Sequence, residues 1–173
     1  MATEQMILVN DRDEPVGIME KMEVHKRGLL HRAFSVFVFD SKGRFLLQQR
    51  ATSKYHSSGL WTNTCCSHPR PNDKVEEAAA RRLKEEMGIT SNMKEIFSFV
   101  SKADLGKDIW EHEFDHVFLG KSDEFPLPNK SEVSEWKWMS IESITNEIDN
   151  HPNDFTIWFQ LIFKDVARVY REG

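Results

Sequence analysis

Residues 61–69 place a thiol and an imidazole two positions apart, at Cys66 and His68 in WTNTCCSHP. Alternate side chains of an extended chain point to the same face, so these two groups would share one wall while Ser67 points away. A thiol can exchange a proton, and an imidazole can bind a metal ion. An isolated Cys-x-His pair is more often a buried thiol beside a hydrogen-bonded histidine, so neighbouring segments must decide between the two interpretations.

Three carboxylates alternate along residues 110–120, at Glu111, Glu113 and Asp115. If this run is a β-strand, they lie on one face, and aromatic and histidine side chains lie on the other. Like charges at that spacing raise each other's pKa or require a cation. The alternative is an edge strand with a solvated acidic face. Because the run is too aromatic for an exposed edge, we predict a buried acidic face that binds a metal ion.

Two further histidines, His25 and His31, occur in the segment MEVHKRGLLHRAF. Their spacing does not match the two-histidine zinc helix, and they are too few for a zinc finger. Each alone is more often an ordinary surface or core histidine. With His68, Glu111 and Glu113 they would complete a set of three nitrogen and two carboxylate ligands, which suits a borderline divalent ion such as Zn²⁺ or Mn²⁺.

Residues 81–89, RRLKEEMGI, match the end of the Nudix box, GX5EX7REUXEEXGU, whose glutamates hold Mg²⁺ to cleave a diphosphate. Ser67 stands at the position of the box's glycine, Asp73 at its first glutamate, and Arg82 at the glutamate after the arginine. Because Arg82 replaces a metal-binding glutamate with a cation, the helix is less suited to hold Mg²⁺ for hydrolysis. The alternative is an ordinary amphipathic helix in which Arg81 pairs with Glu85, and Arg82 with Glu86.

The elements that must position these groups are strands punctuated by helices. Asp73 can cap a helix over residues 73–87, which has an apolar i,i+4 stripe and ends before Gly88. We predict strands at residues 6–10, 16–21, 33–40, 45–50, 95–103, 110–120 and 133–140, with the third and fourth joined as a hairpin. Further helices are expected at residues 141–150 and 153–171. This alternation predicts an α/β or α+β fold with a mixed sheet covered by helices.

The chain has 173 residues, 39% apolar side chains and a net charge of −5. Its length suits one domain, and no repeat or low-complexity tract divides it, so we predict a single domain over residues 1–173. The acidic balance argues against nucleic-acid partners. No run approaches the ~18 apolar residues needed to span a bilayer, and the first residues lack signal-peptide character, so a cytoplasmic protein is expected. Cys65 and Cys66 are neighbours, which favours reduced thiols.

Four stretches together resemble the type 1 isopentenyl-diphosphate isomerases, a family with the Nudix fold. They are HKRGLLHRAFSVFVF, QQRATSK, WTNTCCSHP and WEHEFDHVF, with the altered Nudix helix between the last two. The resemblance covers almost the whole chain, and WTNTCCSHP combined with a downstream EHE is highly specific. It implies a Nudix-like mixed sheet between helices. It also implies a step of isoprenoid biosynthesis, in which protonation and deprotonation interconvert isopentenyl and dimethylallyl diphosphate.

The resemblance also implies a role for individual residues. Cys66 and Glu113 match the family's acid/base groups, and Glu86 matches the carboxylate that shares Mg²⁺ with the substrate diphosphate. The ligands of one tightly held divalent ion, Mn²⁺ or Zn²⁺, are matched by His25, His31, His68, Glu111 and Glu113. Positions that face the diphosphate are matched by Lys21, Arg50, Lys54 and Arg82. Trp158 matches an aromatic residue over the carbon end of the substrate, where its ring face can stabilise a cation, and Trp61 is a weaker candidate.

One position departs from the family. Members usually have tyrosine before Lys-Ala or Arg-Ala, whereas this chain has Ser101-Lys102-Ala103. Serine also has a hydroxyl, but it lacks the aromatic ring that would extend this hydroxyl toward the catalytic glutamate. A shift of one or two residues in the following loop, DLGKD, is the alternative alignment.

Two other functions stay open at this point. One is a Nudix hydrolase acting on a nucleoside diphosphate derivative, and the other is a metal-binding scaffold without catalysis. Arg82 and the pairing of CCSHP with EHE favour the isomerase, which would act on a small allylic or homoallylic diphosphate as a monomer.

Overall fold

A nine-stranded mixed sheet lies at the centre of the structure, a computed structural model that describes residues 3–173. The strands are β1 (Gln5–Val9), β2 (Pro15–Glu20), β3 (His31–Phe39), β4 (Arg44–Arg50), β5 (Trp61–Thr62), β6 (Cys65–Ser67), β7 (Asn92–Asp104), β8 (Trp110–Lys121) and β9 (Val133–Ser140). The helices are α1 (Lys21–Arg27), α2 (Val75–Met87), α3 (Ile141–Asn150) and α4 (Ile157–Glu172). Strand β3 pairs in parallel with β8 along its whole length, and the other strand pairs are antiparallel.

Helices cover both faces of this sheet because the side chains of its central strand are apolar on both sides. Phe37 of β3 packs toward α4, against Phe159 and Phe163. Its neighbour Val36 packs the other way, toward Leu83 of α2. A strand buried on both faces is typical of parallel pairing, which β3 has with β8. The predicted mixed sheet between helices, in the α+β class, is confirmed.

The helix that carries the altered Nudix box begins two residues later than predicted. Asp73 does not cap it, because the Asp73 carboxylate accepts hydrogen bonds from the Arg70 N–H and the Arg81 guanidinium, both at 2.8 Å. Lys74 occupies the cap position and makes no side-chain capping bond. The predicted end at Gly88 is confirmed: its φ of 69° is left-handed, and a Cβ there would lie 2.4 Å from the Leu127 carbonyl oxygen.

The predicted hairpin between β3 and β4 is reduced to a single residue pair, Phe39 with Phe45. Beyond that pair the strands separate, since β3 pairs with β6 and β8 while β4 pairs with β9. Helix α1 was not predicted, although Glu20 caps it through hydrogen bonds from the N–H groups of Met22 and Glu23. Among residues 3–173, no helix has the length and apolar character needed to cross a bilayer.

Candidate active site

A cavity of about 580 Å³ brings together most of the side chains singled out in the sequence. Its wall contains the Cys66 thiol, the carboxylates of Glu111 and Glu113, the imidazole of His68 and the indole of Trp158. The four predicted diphosphate-facing cations line the same cavity: Lys21, Arg50, Lys54 and Arg82. Glu86 also lines it. His25 and His31 are buried beside it, in ring contact with His68.

Five side chains of types that can bind a metal ion converge beside this cavity. Candidate ligand atoms of the three histidines lie within 4.8 Å of one another, as do those of His31, His68, Glu111 and Glu113. His25 comes from α1, His31 begins β3, His68 follows β6, and the two glutamates lie on β8. The parallel register sets His31 directly beside Glu113. These residues form a His/Glu group that can hold a metal ion.

The hydrogen bonds of His25 and His31 suit metal ligands. Each is placed to donate from Nδ1–H to a backbone carbonyl at 2.9 Å, His25 to Trp110 and His31 to Leu29. That tautomer leaves a lone pair on each Nε2, and both Nε2 atoms are buried without a hydrogen-bond partner among residues 3–173. Burial also lowers the pKa of His25 to about 4, so its ring is neutral at physiological pH. A neutral imidazole oriented through its other nitrogen fits a divalent cation.

The pKa values of the two glutamates in this group are shifted in opposite directions. Burial alone would raise the pKa of Glu113, but the neighbouring imidazoles of His31, whose Nε2 atom lies 3.5 Å from Glu113 Oε2, and of His68 outweigh burial and lower that pKa well below its usual range. The His68 Nε2 atom lies 2.9 Å from Glu113 Oε2. Burial and then the charge of Glu113 raise the pKa of Glu111 well above its usual range. A cation between them would favour the ionised form of both.

The third carboxylate of the alternating run, Asp115, is not part of this group. It is 1% exposed and accepts a hydrogen bond from the Ser35 hydroxyl at 2.7 Å. Burial raises the pKa of Asp115, and the charge of Glu113 adds to the effect. The predicted buried acidic face therefore contains all three side chains, but Asp115 is separated from the histidines.

The two adjacent cysteines point to opposite faces of β6. Cys66 pairs with Ser35 of β3 and lines the cavity, whereas Cys65 points toward α2 and donates to Glu86 Oε2 at 3.1 Å. Both are free thiols in the described part of the chain. Burial raises the pKa of the Cys66 thiol, which therefore keeps its proton at neutral pH.

Two of the cavity's cations, Lys21 and Arg50, contact other residues of the cavity wall. The Lys21 ammonium is 3.3 Å from Glu4 Oε2. The Arg50 guanidinium lies 5.4 Å from the centre of the Trp158 ring, and that tryptophan is only 7% exposed. Trp61 lies elsewhere, packed on the α4 side of the sheet with the Lys137 ammonium 4.0 Å from its ring centre.

The other two cations are paired with carboxylates. Arg82 lies 2.6 Å from Glu85 and 3.2 Å from Glu86, so the predicted i,i+4 pair with Glu86 is present. Lys54 contacts Glu132, whose other oxygen is 3.7 Å from Arg82.

Two aromatic residues of the cavity wall were missed in the sequence. Tyr55 and His56 follow the predicted Lys54, and their rings contact each other with centres 4.5 Å apart. His56 also approaches Trp158, at 6.0 Å between ring centres, and burial lowers its pKa to about 3. Neither residue belongs to a recognised motif, and only their position directly after Lys54 in the sequence could have indicated that they line the cavity.

Ser101 lies directly opposite Glu113 in the antiparallel β7–β8 pair, so the two side chains share a face of the sheet. It lines a second groove, of about 620 Å³, between β7 and α4.

The mixed sheet between helices, with α2 bordering a cavity of cations and carboxylates, defines the Nudix class. A family model described as NUDIX domain matches residues 29–159. A crystal structure of a protein from Deinococcus radiodurans has the same fold, with a TM-score of 0.76 at 21% identity, covering 93% of this chain and 98% of that one.

Sequence relatives narrow the class further. The chain is 50% identical over 155 residues to isopentenyl-diphosphate Delta-isomerase 2 of Aromatoleum aromaticum, covering 90% of this chain and 82% of the relative. It is 49% identical over 164 residues to the isopentenyl-diphosphate Delta-isomerase of Serratia proteamaculans, covering 95% of this chain and 92% of the relative. The chain belongs to the isopentenyl-diphosphate isomerase family of the Nudix superfamily.

Proposed function

We propose that this protein interconverts isopentenyl diphosphate and dimethylallyl diphosphate by an allylic shift of the double bond. The observation that supports this most directly is the cavity in which a protonated thiol and an ionised carboxylate, Cys66 and Glu113, face a wall of cations. A hydrolase would need a nucleophilic water held by the Nudix glutamates, one of which is replaced here by Arg82.

The proposed reaction moves one proton in and one proton out. One member of the Cys66–Glu113 pair protonates one carbon of the double bond, which leaves the other carbon as a cation. The other member removes a proton from the next carbon of the chain, so that the double bond moves by one position. The roles exchange in the reverse direction. Since an alkene is a very weak base, the tertiary cation that forms must be shielded from water, which burial of both groups favours.

We propose that the His/Glu group holds one Mn²⁺ or Zn²⁺ ion and that Glu86 shares Mg²⁺ with the substrate diphosphate. The ligands of the first ion would be His25, His31, His68, Glu111 and Glu113. A cation bound there would adjust the proton affinity of Glu113. Glu86 supplies the oxygen donor that Mg²⁺ prefers, beside the phosphate-facing Arg82.

The four cations would hold the diphosphate, since Lys21, Arg50, Lys54 and Arg82 border one cavity of an acidic protein. Trp158 would face the carbon end, where its ring can stabilise the cation. We further propose that the chain acts in the cytoplasm as a monomeric single domain, with a small-molecule substrate and no nucleic-acid or membrane partner.

An assay with isopentenyl diphosphate and Mg²⁺ tests the proposed function by following two products, acid-labile allylic diphosphate and released phosphate. Allylic product without phosphate supports the isomerase. Phosphate alone would identify a hydrolase. The absence of both would leave a metal-binding protein.

Trp158→Phe should keep part of the turnover, and Trp158→Leu much less. The Trp158 ring lies on the cavity wall, and attraction of a cation falls from indole to phenyl and disappears for an alkyl group, an effect of about 1–2 kcal/mol in a desolvated site. The measurement is kcat for both variants, with thermal melting to confirm folding. If leucine performs as well as phenylalanine, Trp158 only packs.

Ser101→Tyr should raise kcat and leave KM nearly unchanged. The groove beside Ser101 has room for a ring, and the side chain lies on the same face of the sheet as Glu113, away from the diphosphate-facing cations. Ser98→Tyr, on the opposite face of β7, is the matched control and should leave kcat unaltered. A folded Ser101→Tyr variant with reduced activity would show that the proton path does not involve position 101.

A further inference from the structure

Glu132 is a carboxylate within the cationic wall of the cavity. Its backbone is fixed on both sides: the Glu132 N–H donates to the Asn129 carbonyl at 2.9 Å, and its carbonyl accepts from the Ala51 N–H at 3.1 Å. Its side chain is 25% exposed and reaches two of the diphosphate-facing cations, in contact with Lys54 and 3.7 Å from Arg82.

Glu132 and a diphosphate both carry negative charge and therefore repel each other. Burial would raise its pKa, but the hydrogen bond with Lys54 outweighs burial and lowers the pKa overall, so the side chain is an anion at neutral pH. A diphosphate bound to Lys54 and Arg82 would bring further negative charge to the same pair of cations. Like charges placed together weaken binding.

We propose that Glu132 is a positioning residue that competes with the substrate: it occupies Lys54 and Arg82 when no diphosphate is bound and yields them to phosphate oxygens when one binds. This inference rests on the proposed function, which assigns those two cations to the diphosphate. Substrate binding is then an exchange of anions, and the charge of Glu132 sets the affinity of the pocket for phosphate-bearing ligands.

Loss of this carboxylate should leave the cations in place. Arg82 keeps its contacts with Glu85 at 2.6 Å and Glu86 at 3.2 Å. Lys54 keeps its backbone hydrogen bond to the Ala51 carbonyl at 3.1 Å. Removing Glu132 should therefore free Lys54 and Arg82 for the diphosphate without displacing either side chain.

The test measures binding of inorganic pyrophosphate by calorimetry, without added Mg²⁺, to the wild type, Glu132→Gln and Glu135→Gln. Glu135 is the matched control: it is an exposed residue of β9 outside the cavity wall formed by residues 3–173, and its substitution changes the net charge equally. We expect Glu132→Gln to lower Kd roughly three- to ten-fold, as loss of one partly exposed charge contact would. Glu135→Gln should change Kd less than about two-fold, since its charge is exposed and screened.

Kinetics with isopentenyl diphosphate should show the same effect as a lower KM for Glu132→Gln, with a smaller change in kcat. Glu132→Ala repeats the test without the amide, which could hold Lys54 by a hydrogen bond, and thermal melting confirms folding of each variant. Unchanged or weaker pyrophosphate binding by both Glu132 variants overturns the inference, as does an equal gain in Glu135→Gln. A wild type that neither binds pyrophosphate nor forms allylic product overturns the proposed function as well.

Discussion

Cys66→Ala should reduce the turnover of isopentenyl diphosphate by about 10²–10⁴-fold, the usual cost of losing a positioned proton-transfer group. The Cys66 thiol lines the cavity and keeps its proton because burial raises its pKa. Glu113→Gln should show a loss of similar size, because an amide can neither give nor accept the proton that the carboxyl group transfers. The measurement is kcat at saturating substrate, so a change in binding cannot explain the loss.

Cys65→Ala is the matched control, since it is the same substitution one residue earlier. Its side chain points toward α2, and the hydrogen bond to Glu86 that it loses should cost stability, about 1–3 kcal/mol, rather than most of the rate. Thermal melting measures that cost. Equal activity of Cys66→Ala and Cys65→Ala would remove the thiol from the mechanism.

His68→Ala should lose a tightly bound divalent ion together with most of the turnover. The purified wild type should retain about one such ion per chain, because five donors from four parts of the chain converge. Losing even an outer partner of a metal ligand costs roughly 10–100-fold in metal affinity, and losing a ligand should cost at least as much. Elemental analysis of the purified proteins measures the metal independently of activity.

His112→Ala provides the control for this experiment. His112 lies between Glu111 and Glu113 but on the other face of β8, where its Nδ1 atom is 2.9 Å from the Gly28 carbonyl oxygen. It should retain the metal. A wild type without a transition metal, combined with full activity of His68→Ala, would contradict the five-ligand site.

Local patterns in the sequence were sufficient for most strands and for α2, because the alternation of side chains is itself local. Helix α1 was missed since its first residue ended a run read as extended, although Glu20 can cap it. Asp73 was misread because a carboxylate near a helix start suits a cap, while Arg81, two turns further along, binds it instead.

Residue types and spacing suggested the metal-ligand set, but only the family resemblance implied that its members converge, because they are distant in the chain. The pairing of His31 with Glu113 depends on a parallel register that alternation does not determine. Glu132 and His56 belong to no motif, so only the folded arrangement reveals them beside Lys54 and Trp158.

The parallel pairing of β3 with β8 also has a consequence for folding kinetics. It joins residues far apart in the chain, such as Ser35 and Asp115, which are separated by 80 residues. The hydrogen bond from His25 of α1 to the Trp110 carbonyl of β8 spans 85 residues. Such high contact order slows folding, because the entropy of closing a long loop must be lost before the contact forms. The His/Glu group is therefore complete only after this closure. A cation that binds the complete group and not the unfolded chain would stabilise the folded state. It would shift the folding equilibrium without acting as a folding nucleus.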